Sequence, residues 1–506
     1  MDSLRRLPSP ARTEASGWLA CLILALVWSV GPALPALTRG ELIGQPYTDL
    51  YPSVWGMWWF AGQQPGLPTL CAQLGAPNGM AFYYSSPLHG WLAWPLLPLL
   101  GLPATFNLTV LLARAATVLC AFGAARAWGL ERRGALLAAV VYGASPFFQG
   151  YAVEGIIEGT DGWTLALWLW MLGRDRLSLA SLAFALTVLS SWYLAAAACV
   201  LAVFTGPRGW LSMVGGLALS APALWSFLGA FPAREDLDSG TRAAMGLSLG
   251  LRPPGILPEL QPFAMTTWVG LVAPLLALSG LRQADRRQWV SVALLACMVL
   301  LSTGWGPWFQ LPPFSALRFP YRFHAGTLVA LAYLAGRAAS RRGPWLAWVV
   351  LAEGLLLSPI EPLLPSSPSE VAPIYRNLPP AKVLLDIPGP IAMPPGEINL
   401  SRPRARWFLY AQTVHGLASP WVPDFNGVGV AASDPLDSVR ALDPLSKAPL
   451  PEILTLPEDV DLVVLHRREL HGRAEDAARL LSAAGFETLA DDGERSLWAR
   501  AQRGSR

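Results

Sequence analysis

Residues 113–148 read ARAATVLCAFGAARAWGLERRGALLAAVVYGASPFF, two apolar runs that are separated by a short basic turn. The turn carries Arg132 and Arg133. Each apolar run belongs to a segment close to the length of about 20 residues that an α-helix needs to cross a bilayer. Basic residues favour the cytoplasmic side of a membrane. The stretch therefore predicts two neighbouring membrane-spanning helices that are joined on that side.

The composition of the whole chain agrees with this prediction. Of its 506 residues, 53% are hydrophobic and only 14% are charged, whereas soluble domains carry about 25% charged residues. The 23 Trp also suit a membrane protein, because Trp favours membrane interfaces. A net charge of +3 without a basic stripe argues against a nucleic-acid partner. The five Cys form no CxxC pair, so neither a disulfide framework nor a thiolate metal site is predicted.

Eleven apolar segments are candidates for membrane spans. They are 17–37, 106–126, 134–150, 157–173, 177–190, 192–207, 210–230, 265–281, 288–304, 323–340 and 344–360. A cleaved signal peptide is the alternative for the first segment, but its apolar run is long for a signal core. Residues 87–102 are also apolar, but several prolines interrupt them, and we interpret them as an interfacial or re-entrant piece.

The distribution of arginine orients these spans. Fifteen arginines fall on one side: Arg5, Arg6, Arg12, Arg126, Arg132, Arg133, Arg174, Arg176, Arg208, Arg282, Arg286, Arg287, Arg337, Arg341 and Arg342. Six fall on the other: Arg39, Arg234, Arg242, Arg252, Arg318 and Arg322. The richer side is predicted to be cytoplasmic, with the N-terminus there and the C-terminus outside. Because the chain has 35 Arg and 2 Lys, typical of a GC-rich bacterial genome, we expect a bacterial inner membrane.

The composition changes after residue 364. A Pro/Ser-rich linker leads into a tail in which charges become frequent. In this tail, 381–388, 459–466, 486–490 and 495–500 read as strands, and 474–485 reads as an amphipathic helix that ends at a glycine. The fold class predicted is an all-α polytopic transmembrane bundle of about eleven spans (1–364) with a small C-terminal α/β extracytoplasmic domain (365–506).

Acidic residues concentrate in the predicted outside loops. Asp49 stands early in a long first loop, 38–105, beside the aromatic segment 51–60, which could lie along the membrane surface. A short second loop carries Glu154, Glu158 and Asp161 and has no basic residue. Such a loop is expected to attract a metal ion, a cationic group or a proton. Solvated loop acids are the plain alternative for all four residues.

Three arginines could bind phosphate. Arg318 and Arg322 are four residues apart in the last outside loop, and the planar guanidinium suits phosphate oxygens. Arg114 lies inside a predicted span near its outer end, where a charge is costly and indicates a functional residue by default. Snorkelling to lipid headgroups is the alternative for the first two, and a structural salt bridge is the alternative for Arg114.

This layout resembles the glycosyltransferase C superfamily of polytopic enzymes. The stretch 113–148, with Arg114, the basic turn and Ser145-Pro146, is similar to the second and third spans of the protein-mannosyltransferase-like branch. The segments LRFPYRF (317–323) and YAQTVHGLASP (410–420) resemble parts of uncharacterised bacterial members that have a C-terminal domain.

The resemblance implies a function and roles for the candidate residues. Enzymes of this superfamily take sugars from polyprenyl-phosphate carriers on the outer face, and they place an essential Asp where Asp49 stands. Asp49 would be the general base, and Arg318, Arg322 and Arg114 would hold the phosphate. The acids Glu154, Glu158 and Asp161 would orient the acceptor or bind a divalent metal.

One departure from the family pattern concerns the metal. The family often has a two-acid D-x-D or E-x-D signature, whereas Tyr47 and Thr48 precede Asp49. Metal dependence, the sugar (a hexose or a pentose), the acceptor and the oligomeric state are therefore left open. Two other functions also remain: a transporter or flippase for a lipid-linked saccharide, which Glu353 inside the last span would suit, and a non-catalytic cell-envelope assembly protein.

Overall fold

A computed structural model describes most of the chain. The described residues are 10–46, 49–81, 84, 86–230, 266–281, 284–304, 306–310, 319–340, 342–389, 407–421, 436–444 and 448–501. Arg318, one of the predicted phosphate-binding residues, lies outside them, as do Tyr47 and Thr48.

Helices dominate residues 1–364. Within the described residues they are α1 (Pro10–Val30), α2 (Leu34–Arg39), α3 (Leu50–Gly62), α4 (Pro87–Ala93), α5 (Leu97–Leu100), α6 (Leu102–Ala127), α7 (Arg132–Gly143), α8 (Pro146–Glu154), α9 (Gly162–Gly173), α10 (Leu177–Ser190), α11 (Trp192–Thr205), α12 (Pro207–Leu219), α13 (Ala221–Ala230), α14 (Val272–Gly280), α15 (Arg286–Ser302), α16 (His324–Ala339) and α17 (Trp345–Leu356). Each of the eleven predicted spans coincides with one or two of these helices.

Three stretches are long and apolar enough to cross a membrane by themselves: Glu14–Arg39, Leu102–Ala127 and Arg132–Val153. The other apolar helices of the described part are shorter, so the count of eleven spans stays a prediction. Residues 87–102 form α4 and α5, of seven and four residues, and each is too short to span a bilayer.

The helices enclose one hydrophobic core, which we call the bundle core. It contains the buried side chains of Trp168, Phe184 and Leu328. The outside of the bundle is also apolar: Ile23 and Val27 on α1 are 52% and 62% exposed. Exposed hydrophobic side chains on consecutive helical turns suit contact with lipid rather than water.

The tail forms a small sheet domain, as predicted. Its four strands are β5 (Leu384–Ile387), β6 (Leu462–His466), β7 (Phe486–Asp491) and β8 (Arg495–Arg500), and the short strands β1 (Leu42–Ile43), β2 (Leu70–Cys71), β3 (Met80–Ala81) and β4 (Ser366–Ser367) precede them. The order in the sheet is β5-β6-β8-β7, with β5 and β6 parallel and the other pairs antiparallel. The tail also contains α18 (Trp407–His415), α19 (Asp437–Arg440) and α20 (Ala474–Ala483).

A second hydrophobic core, which we call the outer core, joins the long first loop, 38–105, to the tail. It contains Trp55 and Phe60 of α3 together with Val464 of β6. Trp55 Nε1 donates a hydrogen bond of 2.7 Å to Gln412 Oε1, and β1 of the loop pairs with β4 after the linker. The loop and the tail therefore pack as one unit, while the boundary at residue 364 stays a prediction.

The aromatic segment 51–60, expected along a membrane surface, is instead buried inside the protein. Tyr51, Trp55, Trp59 and Phe60 are all 2% exposed or less. Tyr51 packs against Trp407 and Tyr410 of α18, with ring centroids 5.1 and 5.3 Å apart. These rings hold the tail on the loop, because burying large aromatic side chains is strongly favourable.

Candidate functional site

The acidic second loop is a tight turn that packs against the first. Helix α8 ends at Glu154, and Gly155 follows in the left-handed region with a φ of +68°. A Cβ on Gly155 would lie 2.5 Å from Leu50 Cα, so glycine is needed both for this conformation and for the close approach. Residues Ile157–Thr160 form a 3-10 turn before α9 begins.

Asp49 and Glu154 are neighbours at this contact. The Asp49 backbone N–H donates to Glu154 O at 3.3 Å, and Gln45 N donates to Val153 O at 2.7 Å. Glu154 is completely buried, and its Oε2 accepts a hydrogen bond of 2.7 Å from Gln45 Nε2. Asp49 is half-buried. The predicted general base is therefore joined to one of the three acidic residues of the second loop by a backbone hydrogen bond.

Glu158 pairs with Arg322, 164 residues later in the chain. Arg322 Nη1 lies 2.8 Å from Glu158 Oε1, and the side chains are 7% and 20% exposed. Arg322 sits in the 3-10 turn Pro320–Phe323 immediately before α16. A charged pair with so little exposure is sensitive to the loss of either partner.

Aromatic rings surround the Arg322 guanidinium. Its Cζ lies 4.4 Å from the ring centroid of Tyr193, 5.0 Å from that of Phe319 and 5.6 Å from that of Tyr151. Such cation–π contacts hold a guanidinium in a fixed orientation. They also leave Arg322 Nε buried with no hydrogen-bond partner among the described residues.

Asp161, at the start of α9, accepts a hydrogen bond from one indole N–H and lies against an imidazole ring. Its Oδ1 accepts from Trp163 Nε1 at 2.9 Å and lies 3.3 Å from His89 Nε2. On the other side of the imidazole, His89 Nδ1 lies 2.5 Å from Ser86 Oγ. Asp161 Oδ2 is buried and receives no hydrogen bond within the described part of the chain.

Tyr84 completes the group from the first outside loop. Burial, and then the carboxylates of Glu158 and Asp161, raise the pKa of Tyr84 well above its usual value of 10. Its hydroxyl therefore stays protonated and can donate a hydrogen bond. The hydroxyl oxygen is buried without a described partner. Tyr84, Asp161 Oδ2 and Arg322 Nε thus provide a donor, an acceptor and a cationic donor around Glu158.

Arg114 lies apart from these carboxylates. It is 2% exposed, and its Nη2 donates to Trp28 O at 2.8 Å and to Gln149 Oε1 at 3.1 Å. Its Cζ lies 5.2 Å from the Trp28 ring centroid. No described carboxylate forms an ion pair with it, so the structural salt bridge considered from the sequence is not formed within the described residues. Its assignment to phosphate stays a prediction.

Glu353 has a structural explanation. Its two carboxylate oxygens accept the backbone N–H groups of Leu271 at 2.6 Å and Val272 at 3.1 Å, at the start of α14. These N–H groups have no partner within their own helix, so the carboxylate caps the helix and its charge meets the positive end of the helix dipole.

A metal site does not emerge from the described residues. No three His, Cys, Asp or Glu side chains among them are grouped closely enough to hold an ion. Glu158 is engaged by Arg322, and Asp161 faces His89 and Trp163. The described donor set does not fit a divalent ion.

Sequence reasoning missed Tyr84 and His89. Both belong to the long first loop, and the acidic residues that they face lie in the second loop. A signal was present for His89, a lone histidine three residues after Ser86, which precedes a proline at the start of α4. Its partner Asp161 comes 72 residues later, and only folding brings the two side chains together.

Known proteins are similar to this chain in structure. No protein-family model matches it, and no curated protein matches it in sequence. The arabinofuranosyltransferase AftD from Mycobacteria superposes on 96% of this chain with a TM-score of 0.59 and 17% identity. The chain spans 41% of the length of that enzyme.

Two structures of the oligosaccharyltransferase from Archaeoglobus fulgidus are also similar. The complex with zinc and sulfate gives a TM-score of 0.53 at 12% identity, covering 96% of this chain and 73% of that one. The complex with an inhibitory peptide and a dolichol-phosphate gives 0.50 at 11% identity, covering 97% and 75%. At these identities the similarity concerns the fold. The chain is a membrane protein with the glycosyltransferase C fold.

Proposed function

We propose that this protein transfers a hexosyl or pentosyl unit from a polyprenyl-phosphate carrier to an acceptor on the outer face of a bacterial inner membrane. The observation that carries the proposal is a group of buried atoms around Glu158 that have no hydrogen-bond partner among the described residues: Tyr84 Oη, Asp161 Oδ2 and Arg322 Nε. Buried polar atoms are nearly always hydrogen-bonded. Three exceptions in one neighbourhood suit a ligand that carries both hydroxyl groups and a phosphate.

The proposed reaction is a displacement at the anomeric carbon. The acceptor oxygen bonds to this carbon, the bond from the carbon to the phosphate oxygen breaks, and the polyprenyl phosphate leaves with the bonding electrons. Asp49 takes the proton from the acceptor hydroxyl as general base. Arg322 stabilises the charge of the leaving phosphate with charge-assisted hydrogen bonds.

The remaining residues have positioning roles in this proposal. Asp161, oriented by His89 and Trp163, accepts a hydrogen bond from a sugar or acceptor hydroxyl, and Tyr84 donates one. Glu158 holds Arg322 in place. The similarity to an oligosaccharyltransferase complex that contains a dolichol-phosphate supports a lipid-linked donor for this fold.

The test uses the full chain in lipid nanodiscs with a panel of polyprenyl-phosphate hexoses and pentoses. A membrane extract supplies the acceptors. Free polyprenyl phosphate is the product common to all acceptors, so its release is measured. Asp49→Asn is expected to lower the release by about 10²–10⁴-fold, because the amide cannot take the proton.

Asp175→Asn is the matched control, since Asp175 makes the same change in an exposed surface pair with Arg208. It should release product at the wild-type rate. Unchanged release by Asp49→Asn would remove Asp49 from the reaction. A folded wild-type protein that releases no polyprenyl phosphate from any donor would contradict the proposed function and favour a transporter or an assembly protein.

A further inference from the structure

A cavity of about 430 Å³ lies in the bundle at the end away from the acidic turn. Thr117 of α6 contacts Thr160 of that turn, whereas the cavity begins at Ala121 and continues along α6 to Trp128. Its other walls come from α7, α9, α11, α15 and α16. The cavity therefore lies about one to three helical turns beyond that contact, toward the opposite face of the membrane.

The floor of the cavity is apolar and is built from small side chains. Ala124, Ala138 and Ala330 are 8%, 3% and 1% exposed, and Leu201 beside them is 1% exposed. Alanine leaves space between helices that larger side chains would fill. An apolar space of this size gains free energy when hydrocarbon replaces water in it.

The rim of the cavity is basic. Arg286 and Arg287 line it, are exposed and form the first turn of α15. The nearest acid in sequence, Asp285, caps that helix through Gln288 N and pairs with Arg337 at 3.6 Å. Neither rim arginine forms an ion pair with a carboxylate in the part of the chain that the structure describes. Two uncompensated cations thus stand at the mouth of an apolar cavity.

We propose that this cavity binds one anionic phospholipid of the adjacent leaflet, with an acyl chain on the apolar floor and the phosphate between Arg286 and Arg287. Basic pockets between membrane helices attract anionic headgroups, and each arginine near the surface strengthens the attraction. The donor would be bound elsewhere, because the acidic turn, which holds Arg322 through Glu158, meets α6 at Thr117, outside the stretch 121–128 that lines the cavity. The inference does not depend on the proposed transfer reaction.

The experiment is native mass spectrometry of the delipidated full chain, titrated with phosphatidylglycerol or phosphatidylcholine of identical acyl chains. Wild type should bind one phosphatidylglycerol about 30-fold more tightly than phosphatidylcholine, since two arginines contribute. The double variant Arg286→Gln/Arg287→Gln should lose this preference and keep its weak binding of phosphatidylcholine. The matched double variant Arg174→Gln/Arg176→Gln, exposed on the same predicted side, should keep the preference.

A second variant tests the floor without touching the charges. Ala124→Leu reduces the volume for the acyl chain, so it should weaken binding of both lipids while thermal unfolding shows the protein still folded. Equal binding of the two lipids by wild type would overturn the proposal, and so would equal losses in both arginine double variants. Tighter binding of polyprenyl phosphate than of phosphatidylglycerol at this rim would assign the cavity to the donor and also overturn it.

Discussion

The bundle buries charged side chains differently from a second region, which consists of the long first loop, the acidic turn 154–161 with its partner Arg322, and the tail. We call this second region the outer region. Inside the bundle, Arg114 binds a backbone carbonyl and one amide, and Glu353 binds two backbone N–H groups. In the outer region, Glu158 pairs with Arg322, and Asp161 lies against His89. The two bundle charges are hydrogen-bonded mainly to backbone groups, whereas Glu158 and Asp161 of the outer region each lie against a basic side chain.

This difference separates the structural charge of Glu353 from the candidate functional charges, and Arg114, whose Nε and Nη1 have no described partner, falls between the two groups. When a charged side chain caps a helix end, its oxygens are already hydrogen-bonded to backbone N–H groups. The Glu158–Arg322 and Asp161–His89 pairs leave Arg322 Nε and Asp161 Oδ2 without hydrogen-bond partners among the described residues, so these two atoms can still bind a ligand. The contrast also weakens the transporter alternative. The hydrogen bonds of Glu353 to the start of α14 account for its burial without a transported ion.

The largest effect is expected at the Glu158–Arg322 pair. Arg322→Leu removes the cationic partner of the mostly buried Glu158 carboxylate and should cost about 3–5 kcal/mol of unfolding free energy, with loss of transfer. The double variant Arg322→Leu/Glu158→Leu should regain most of that stability but no transfer. Denaturant unfolding in detergent and the release assay measure the two quantities.

Arg337→Leu is the control for this pair, because its pair with Asp285 is 44% and 46% exposed and should change stability by no more than about 1 kcal/mol. Transfer restored in the double variant would give the Glu158–Arg322 pair a purely structural role. Glu158 and Arg322 would then have a structural role, as Glu353 has in the bundle, and the difference between the two regions would not hold for them.

An intermediate effect is expected from acid in the outer region. His415 stacks on Tyr375, with centroids 5.7 Å apart, and Tyr375 bonds to the buried Asp386 and to His466. Burial lowers the pKa of His415 from 6.5 to about 4, and Asp386 opposes this only partly. The unfolded chain therefore binds the proton more readily than the folded one. We therefore expect the contribution of His415 to the free energy of unfolding to be greatest above pH 6.5. It should fall by about 3 kcal/mol as the pH is lowered to 4.

Thermal unfolding of the full chain between pH 4 and pH 7 checks this prediction. His415→Gln removes the titrating group and should flatten the slope between pH 6.5 and pH 4. The wild-type slope in that variant would assign the acid sensitivity to other groups.

The smallest effect is expected at Arg114. Arg114→Met keeps the shape of the side chain, loses two hydrogen bonds and removes two buried nitrogens, Nε and Nη1, that have no described partner. These terms oppose each other, so stability should change by about 1 kcal/mol or less. The release of polyprenyl phosphate should persist if Arg114 behaves like the other single charges of the bundle.

Arg114→Lys, which retains the positive charge, is the companion variant. A release that Arg114→Met abolishes and Arg114→Lys restores, in a protein that is still folded, would move Arg114 into the phosphate site. That result would agree with the sequence prediction that Arg114 binds phosphate. It would also show that a buried charge of the bundle can have a functional role.

The aromatic segment 51–60 shows how far sequence reasoning reached. Its composition predicted a surface segment, because interfacial aromatic belts and buried aromatic helices have the same residue content. What decides between them is whether a partner covers the rings. That partner is α18, and the hydrogen bond from Trp55 to Gln412 joins residues 357 positions apart.

The sequence by itself determined the membrane character, the helical positions of the apolar segments, and the strands and helix of the tail. These features depend on hydrophobicity and on residue periodicity over some 20 neighbouring residues, which the chain carries locally. The tertiary structure alone decided that the first loop and the tail share a core, that Glu158 meets Arg322, and that Tyr84 and His89 join the acidic turn. Such pairings depend on which distant segments pack together, and no local pattern encodes that packing.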